Sequence, residues 1–446
     1  MPSPNPDNNI DKKMKQARTV LQKYYQFPGF RKGQKQVIRS ILQERDTLAL
    51  MPTGAGKSLC FQIPALILPG LTLVISPLIS LMKDQIDSLQ QRGIPATCLN
   101  SSLSGKEIRK RIAALKKNNY QLLYIAPERL KTERFLHTLS GLKLGLVAVD
   151  EAHCISGWGH DFRPDYLKIS QIFQRRISLI RPPVAAFTAT ATPWVKKDIK
   201  QSLKLKDPFV FSGDMERKNL HFSVKKVWNR CGFLINYLKK NKEKSGIIFT
   251  ATRKKAEKIN LFLLKRGFAS AAYHAGLKDR IRSQIQDRFL KNQVRIMVGT
   301  SAFGMGIDKA NVRFVVHFNL TADIESYYQQ AGRAGRDGKP ASCILLFSLK
   351  DYRKKKYLLQ HRPIKPQLRE YKVKKLKKVF DYCHTVDCLQ HFIISYFSEK
   401  NLFIKGKYGH CSNCFSDSDE DKKNIFSWFF YFYRKILYFV INRYYK

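Results

Sequence analysis

The sequence predicts an α/β protein of two parallel-sheet lobes, followed by a small helical module bearing cysteines. Three observations carry that prediction. Short apolar runs alternate with amphipathic stretches through residues 47–190, and a second series of the same kind fills 245–347. Strands separated by helix-length segments pair in parallel, because each crossover returns the chain to the same end of the sheet. A glycine-rich turn ending in Lys-Ser follows the first run, an Asp-Glu pair follows the fourth, and after residue 350 the pattern becomes charged helix and then clustered cysteine.

The elements follow in order. Residues 1–15 are polar, carry Pro and Asn, and lack the apolar stretch of a signal peptide, so they are read as a disordered lead-in. The first lobe is expected over 16–212, with strands in TLALM 47–51, LTLVIS 71–76, YQLLYIA 120–126, LGLVAV 144–149 and VAAFTAT 184–190. The break is placed near 208–220, where Pro, Gly and mixed charge interrupt the pattern. The second lobe, 213–350, has strands in SGIIFTA 245–251, ASAAYHA 269–275, VRIMVGT 294–300, VRFVVHF 312–318 and ASCILLF 341–347. A helical module is expected over 351–417, and an aromatic-crowded tail, too interrupted by charge to be read as a membrane span, over 418–446.

Composition narrows the function. The chain of 446 residues carries 81 Lys+Arg against 34 Asp+Glu, a net charge of +47 whose sign favours a phosphate-rich partner. A Lys-rich compositional bias competes as the source of the magnitude. An apolar fraction of 44% excludes a largely disordered chain, and nine cysteines, an odd number, give no secreted disulfide framework. An intracellular, reduced protein follows as the expectation.

The motifs supply the chemistry. In Thr53-Gly54-Ala55-Gly56-Lys57-Ser58 the glycines let backbone N–H groups turn inward around phosphate oxygens; Lys57 would reach the β- and γ-phosphates and Ser58 would ligate Mg²⁺. Met51 stands where the outer glycine of that pattern belongs. Alone, such a turn beside a lysine has a merely structural alternative; a strand ending in Asp150-Glu151 about a hundred residues on makes it a nucleotide site. Asp150 is the expected Mg²⁺ partner and Glu151 the group that orients the attacking water. Arg333 and Arg336, two arginines on one short segment, could reach across a cleft to stabilise charge on the transferring phosphoryl group, with a pair solvated on a helix face the alternative. In ISGWGHDFRPDY, 155–166, Trp158 and Phe162 offer faces for unpaired bases and Arg163 adds charge, with burial as ordinary core aromatics the alternative.

These residues together resemble the RecQ family of DNA helicases of superfamily 2, over roughly residues 20–350. FPGFRKGQ, 27–34, is similar to the family's motif before the phosphate loop, which implies nucleotide contacts for Arg31 and an adenine edge for Gln34. AFTATAT, 186–192, and YYQQAGRAGRDG, 327–338, resemble its later motifs; VISPLISLMKDQ, 74–85, and YIAPERL, 124–130, resemble DNA-facing ones. The resemblance implies RecA-like lobes with an ATP cleft between them, and coupling roles for His153, Thr188, Thr190 and Gln329. Departures are Gly157 for a usual glutamine, Lys32 and Thr321 for prolines, and Leu389 and Gln390 for arginines.

The family's zinc pattern matches Cys388, Cys411 and Cys414, with its fourth position at Asp417; Cys383, His384 and His410 are alternative donors for Zn²⁺, and reduced structural thiols the other reading. The winged-helix domain that often follows in the family is not recognised. The resemblance therefore implies an ATP- and Mg²⁺-dependent 3′→5′ helicase acting on single-stranded and partly duplex DNA in repair or recombination, in the cytoplasm, with a nuclear location open and no membrane. An RNA helicase and a decayed, non-catalytic DNA-binding protein are the alternatives carried forward.

Overall fold

The computed structural model describes residues 6–100, 103–159, 161–174, 181–304, 309–398 and 411–414. Seven strands of the first lobe are β1 (Thr47–Leu50), β2 (Leu71–Ile75), β3 (Ala96–Leu99), β4 (Leu122–Ile125), β5 (Leu144–Val149), β6 (Val184–Thr188) and β7 (Phe209–Ser212). They form a sheet in the order β3-β4-β2-β5-β6-β1-β7. The second lobe contributes β8 (Leu220–Lys226), β9 (Ser245–Phe249), β10 (Ser270–Tyr273), β11 (Ile296–Gly299), β12 (Val312–His317) and β13 (Ala341–Phe347), in the order β10-β11-β9-β12-β13-β8. Every pairing is parallel.

The two-residue period of a strand explains why these runs are apolar throughout. Leu73 and Ile75 of β2 join one buried cluster with Val147 and Val149, while Val74 joins Ala148 and Phe187 on the opposite face. The second sheet divides in the same way, with Ile247, Val315 and Leu345 on one face and Ile248, Val316 and Leu346 on the other. Strand β5 slips by one position against β2 beside Gly145, where a Cβ would lie 2.6 Å from the Pro69 carbonyl oxygen, so only glycine fits. The buried Asp46 carboxylate ties the start of β1 to its neighbours by accepting from Val184 N (2.8 Å), Lys206 N (2.7 Å) and the Arg181 guanidinium (2.7 and 3.0 Å).

One expectation is corrected. Residues 6–15, read as disordered, open the helix Pro6–Tyr25. Ile10, Met14, Ala17 and Leu21 fall on one face of it and are buried with Val37, Ile41 and Phe61. That helical spacing was present, but the flanking charge and Asn content hid it.

The last helices, Leu349–Gln360, Pro366–His384 and Leu389–Phe397, are not a separate body. Leu376, Val379, Tyr382 and Ile393 share one apolar cluster with Phe222, Phe249 and Tyr327 of the second lobe. Among the described residues no helix is long and apolar enough to cross a membrane. The aromatic tail, 418–446, lies outside the described residues.

Candidate active site

Three strand ends converge. Leu50 is in register with Thr188, and Ile75 with Val149, so the turns after β1, β5 and β6 open on one carboxyl edge of the sheet. The phosphate loop leaves β1 there, and Gly54 (φ 85°) and Gly56 (φ 78°) take left-handed conformations that L side chains rarely adopt. Buried Gln34 braces that loop: its amide nitrogen donates to the Ala55 and Gly56 carbonyls (3.1 Å each) and its oxygen accepts from Arg31 N (2.8 Å). Arg31 Nη1 donates to the Gly54 carbonyl at 2.6 Å. The amide expected at an adenine edge is therefore committed to the loop backbone in this structure.

Lys57 is half-buried, with Nζ donating to the Met51 carbonyl at 3.2 Å. Burial lowers its pKa against the opposing pull of the Glu151 and Asp150 carboxylates, and Arg336 adds like-charge repulsion. Burial, and then repulsion from Glu151, pushes the Asp150 carboxyl up to about 7. Glu151 sits in the left-handed region (φ 47°), and its N–H donates to Asp150 Oδ1 at 2.9 Å. From Glu151 a polar chain runs inward. Its Oε2 lies 3.3 Å from His153 Nδ1, which in turn shares a 2.9 Å hydrogen bond with Thr188 Oγ1. Thr188 Oγ1 donates to the Thr190 carbonyl at 3.0 Å. The sequence-predicted coupling residues of the first lobe are thus contiguous.

A second chain was not foreseen. Ser58 Oγ accepts from Gln85 Nε2 (3.2 Å), and Gln85 Oε1 accepts from Tyr124 OH (2.9 Å). Gln85 ends a stretch read as DNA-facing; its reach to Ser58 depends on helix orientation, which no sequence signal fixes.

The second lobe faces this edge. The helix Ile324–Ala331 is capped by Asp323, whose carboxylate accepts from Ser326 N at 2.7 Å, and it carries the buried Gln329. The segment after it brings Gly332 and Arg336 against the phosphate loop. A Cβ on Gly332 would lie 3.5 Å from Thr53, and one on Gly54 would lie 4.0 Å from Arg336 Cγ. Arg333 is buried in the same segment. Arg217, in the stretch read only as an inter-lobe break, reaches both sides of this contact.

In the loop after β5, Phe162 is 42% exposed and Trp158 36%. The Trp158 ring meets Tyr371 edge-on at 5.0 Å, and its carbonyl accepts from Lys375 Nζ at 3.0 Å. Arg163 is engaged within the protein, donating to the Pro77 carbonyl at 2.6 Å and pairing with Asp161 at 3.3 Å.

Sγ atoms of Cys388, Cys411 and Cys414 lie within 4.8 Å of one another. The Cys411 sulfur is 3.9 Å from that of Cys388 and 3.4 Å from that of Cys414, near the roughly 3.8 Å separation of thiolates on a tetrahedral ion with 2.3 Å bonds. Cys411 also accepts from Leu389 N at 3.3 Å and bridges to the edge strand β8 at Phe222. The sulfur–sulfur contact with Cys388 holds the Cys411 thiol low, which suits a metal-bound thiolate. The donor set thus fits zinc. Cys383 is buried but outside this group, and His384 Nδ1 is hydrogen-bonded to the Phe380 carbonyl (2.8 Å). Asp417 and His410 lie outside the described residues.

Comparison with known proteins agrees with this geometry. Family models match residues 31–198 (DEAD/DEAH box helicase), 229–338 (helicase conserved C-terminal domain) and 349–415 (RecQ zinc-binding). An ATP-dependent DNA helicase RecQ of Bacillus subtilis (strain 168) is 47% identical over 399 residues, covering 89% of this chain and 67% of that relative. The chain belongs to the RecQ family. A RecQ of Pasteurella multocida (strain Pm70) is 42% identical over 89% of this chain, and the RecQ-like DNA helicase blm-1 of Caenorhabditis elegans 39% over 86%. This RecQ-family chain spans 61% and 40% of those two relatives' lengths. Among solved structures, the fold is shared with Mycobacterium smegmatis helicase Lhr bound to ssDNA and AMP-PNP (TM-score 0.62, 18% identity, 88% of this chain and 56% of that one). It is shared also with Mss116p bound to ssRNA and AMP-PNP (TM-score 0.64, 18% identity, 84% and 89%).

Proposed function

We propose that this RecQ-family chain is an ATP-dependent DNA helicase or translocase that moves 3′→5′ on single-stranded DNA and opens partly duplex DNA. The observation that carries the reading is the meeting of the Gly54–Ser58 loop, the Asp150-Glu151 pair and the Arg336 segment at one sheet edge. ATP would lie between the lobes, its phosphates on the Thr53–Ser58 turn and Lys57, with Arg31 and Gln34 shaping the loop from behind. Mg²⁺, when bound between Ser58 and Asp150, would neutralise phosphate charge. Glu151 is the group to orient the attacking water, and Arg333 and Arg336 complete the charge on the transferring phosphoryl from the other lobe.

His153, Thr188 and Thr190 link Glu151 to the turn after β6, and Glu151 is only seven residues from Trp158. DNA contact at Trp158 and Phe162 would therefore be felt at the water-orienting carboxylate, while Arg163 shapes that loop and Gln329 supports the arginine segment. Cys388, Cys411 and Cys414 would hold a structural zinc, with Asp417 the fourth donor suggested by spacing. Repair or recombination in the cytoplasm, on nucleoid DNA, is the setting this reading implies.

The test is the nucleic-acid dependence of ATP turnover. Stimulation by single-stranded DNA, little by RNA of the same length, and loss of both in Lys57→Ala are expected. Preferential stimulation by RNA would replace DNA with RNA as the substrate.

A further inference from the structure

Between the last strand of the first sheet and the first strand of the second, residues 213–219 cross from lobe to lobe. Arg217 in this crossing makes contacts that a simple linker does not need. Its Nη1 donates to the Thr53 carbonyl of the phosphate loop at 2.7 Å. Its Nη2 donates to the carbonyls of Ala334 (3.3 Å) and Gly335 (3.0 Å), between Arg333 and Arg336. Nε donates to Asn219 Oδ1 at 3.4 Å, and Asn219 Nδ2 in turn donates to Gly335 O (2.8 Å) and Lys339 O (2.9 Å). One planar guanidinium thus spans the two halves of the nucleotide site, with its plane set by Asn219.

We propose that Arg217 is a positioning residue for ATP hydrolysis: it sets the distance and angle between the phosphate loop and the Arg333/Arg336 segment by bridging their backbones. The proposal rests on the ATPase reading above and extends it to a residue outside the recognised motifs. The segment it grips is locally constrained. Gly335 is left-handed (φ 57°), and a Cβ there would lie 2.4 Å from Asn219 Nδ2, so the crossing and the arginine turn are fitted to each other. Tyr328 OH adds a further tie, donating to the Met215 carbonyl of the same crossing at 2.5 Å.

The chemistry explains why the bridge belongs to arginine. A guanidinium presents donors in a fixed fork to two acceptors on different lobes, whereas an ammonium is a single point charge on a flexible four-carbon stem. Phosphoryl transfer is catalysed chiefly by positioning and electrostatics, so the placement of Arg336 relative to the loop, more than its mere presence, governs the rate. Loss of the bridge should therefore act on turnover and leave ground-state nucleotide binding, made mostly by the loop itself, nearly intact.

The experiment compares the full wild-type chain with Arg217→Met, Arg217→Lys, Arg336→Ala and the Arg217→Met/Arg336→Ala double variant. ATP turnover is measured at saturating single-stranded DNA, equilibrium affinity with a fluorescent ATP analogue, and folding by thermal melting. Arg217→Met is expected to lower kcat about tenfold to a hundredfold, the scale of a small misplacement of catalytic groups, with nucleotide affinity changed by less than about threefold. Arg217→Lys should fall between Met and wild type. In the Arg336→Ala background the same Met substitution should cost less than about threefold, because Arg217 acts through the group already removed.

Arg217→Met or Arg217→Lys with kcat within about twofold of wild type overturns the proposal, as does a full additional loss in the Arg336→Ala background. If the Met variant does not fold, Arg217→Lys alone decides by the same split between kcat and affinity. A wild-type chain without DNA-stimulated turnover would overturn the helicase reading and the proposal with it. An active wild type beside an equally active Arg217→Met overturns the proposal alone.

Discussion

Lys375 and Glu325 form an ion pair at 2.7 Å with side chains 8% and 3% exposed, where the helix Pro366–His384, the helix Ile324–Ala331 and the Trp158 loop meet. At that separation the gross attraction is about 6 kcal/mol for an effective dielectric of about 20, and with so little exposure solvent screens little of it. Most is offset by the desolvation of both charges, so the pair's net worth is small; the cost of breaking it is not. Lys375→Met leaves the Glu325 carboxylate buried beside Asp323, itself 7% exposed, and removes the donor to the Trp158 carbonyl.

A cost of about 3–5 kcal/mol is expected for Lys375→Met, and a similar one for Glu325→Gln. The double variant should cost at least about 2 kcal/mol less than the sum, since neither charge is then stranded. Burial lowers the Lys375 pKa, but the Glu325 and Asp323 carboxylates outweigh it and raise the pKa overall. A cationic group with a raised folded pKa stabilises fully below its unfolded value and loses that effect only as pH rises through the folded one, so the pair persists across the neutral range. Because the chain has two lobes, the assay is amide hydrogen exchange within Pro366–His384, which reports local opening free energy. Single variants each costing below about 1 kcal/mol, or a strictly additive double, would refute the reasoning.

Three further outcomes are expected. Gly56→Ala places a Cβ 2.4 Å from Gln34 Nε2 at φ 78°, so it should cost about 1–2 kcal/mol in backbone strain and lower ATP-analogue affinity at least about tenfold; unchanged affinity would contradict the loop geometry. Burial lowers the His317 pKa to about 3, partly offset by its hydrogen bond to Gln330. The unfolded chain therefore binds the extra proton first, and stability falls as pH drops from about 6.5 toward 3. By pH 5 the loss is about 2 kcal/mol, and His317→Gln should remove that part of the acid sensitivity in melts at pH 7.5 and 5. Cys411→Ser should keep less than about a tenth of the zinc that the wild type carries through purification, measured by metal analysis, and should speed exchange in Leu389–Phe397; full retention would reject the thiol cluster as the site.

The parts of this molecule legible in its sequence are those where burial on both faces makes a strand wholly apolar. LGLVAV ends within a residue of where pairing ends, and the Asp150-Glu151 turn follows directly. Strands β3, β7 and β8 went unread for different reasons. ATCL is an edge strand whose Thr97 and Cys98 break the apolar run; FVFS lies at a sheet edge with alternate residues exposed; LHFSVKK runs into lysines because it too is an edge. At the site, residues that act through backbone shape or formal charge were visible, because glycine, lysine and paired carboxylates have few other reasons to stand together. Gln85 and Arg217 were not. Each acts by bonding to a residue far away in sequence, Ser58 or Thr53, and that proximity is created by the fold. The commitment of Gln34 to its loop carbonyls is likewise a property of distance and leaves no mark on composition.

The central claim is tested most directly by ATP hydrolysis of the full chain with and without single-stranded DNA, beside Glu151→Gln. The account predicts strong stimulation in the wild type, and a loss in the variant of about a hundredfold or more with the fold and ATP binding retained. A folded wild type that binds DNA but does not hydrolyse ATP, or a Glu151→Gln variant as active as its parent, would contradict it.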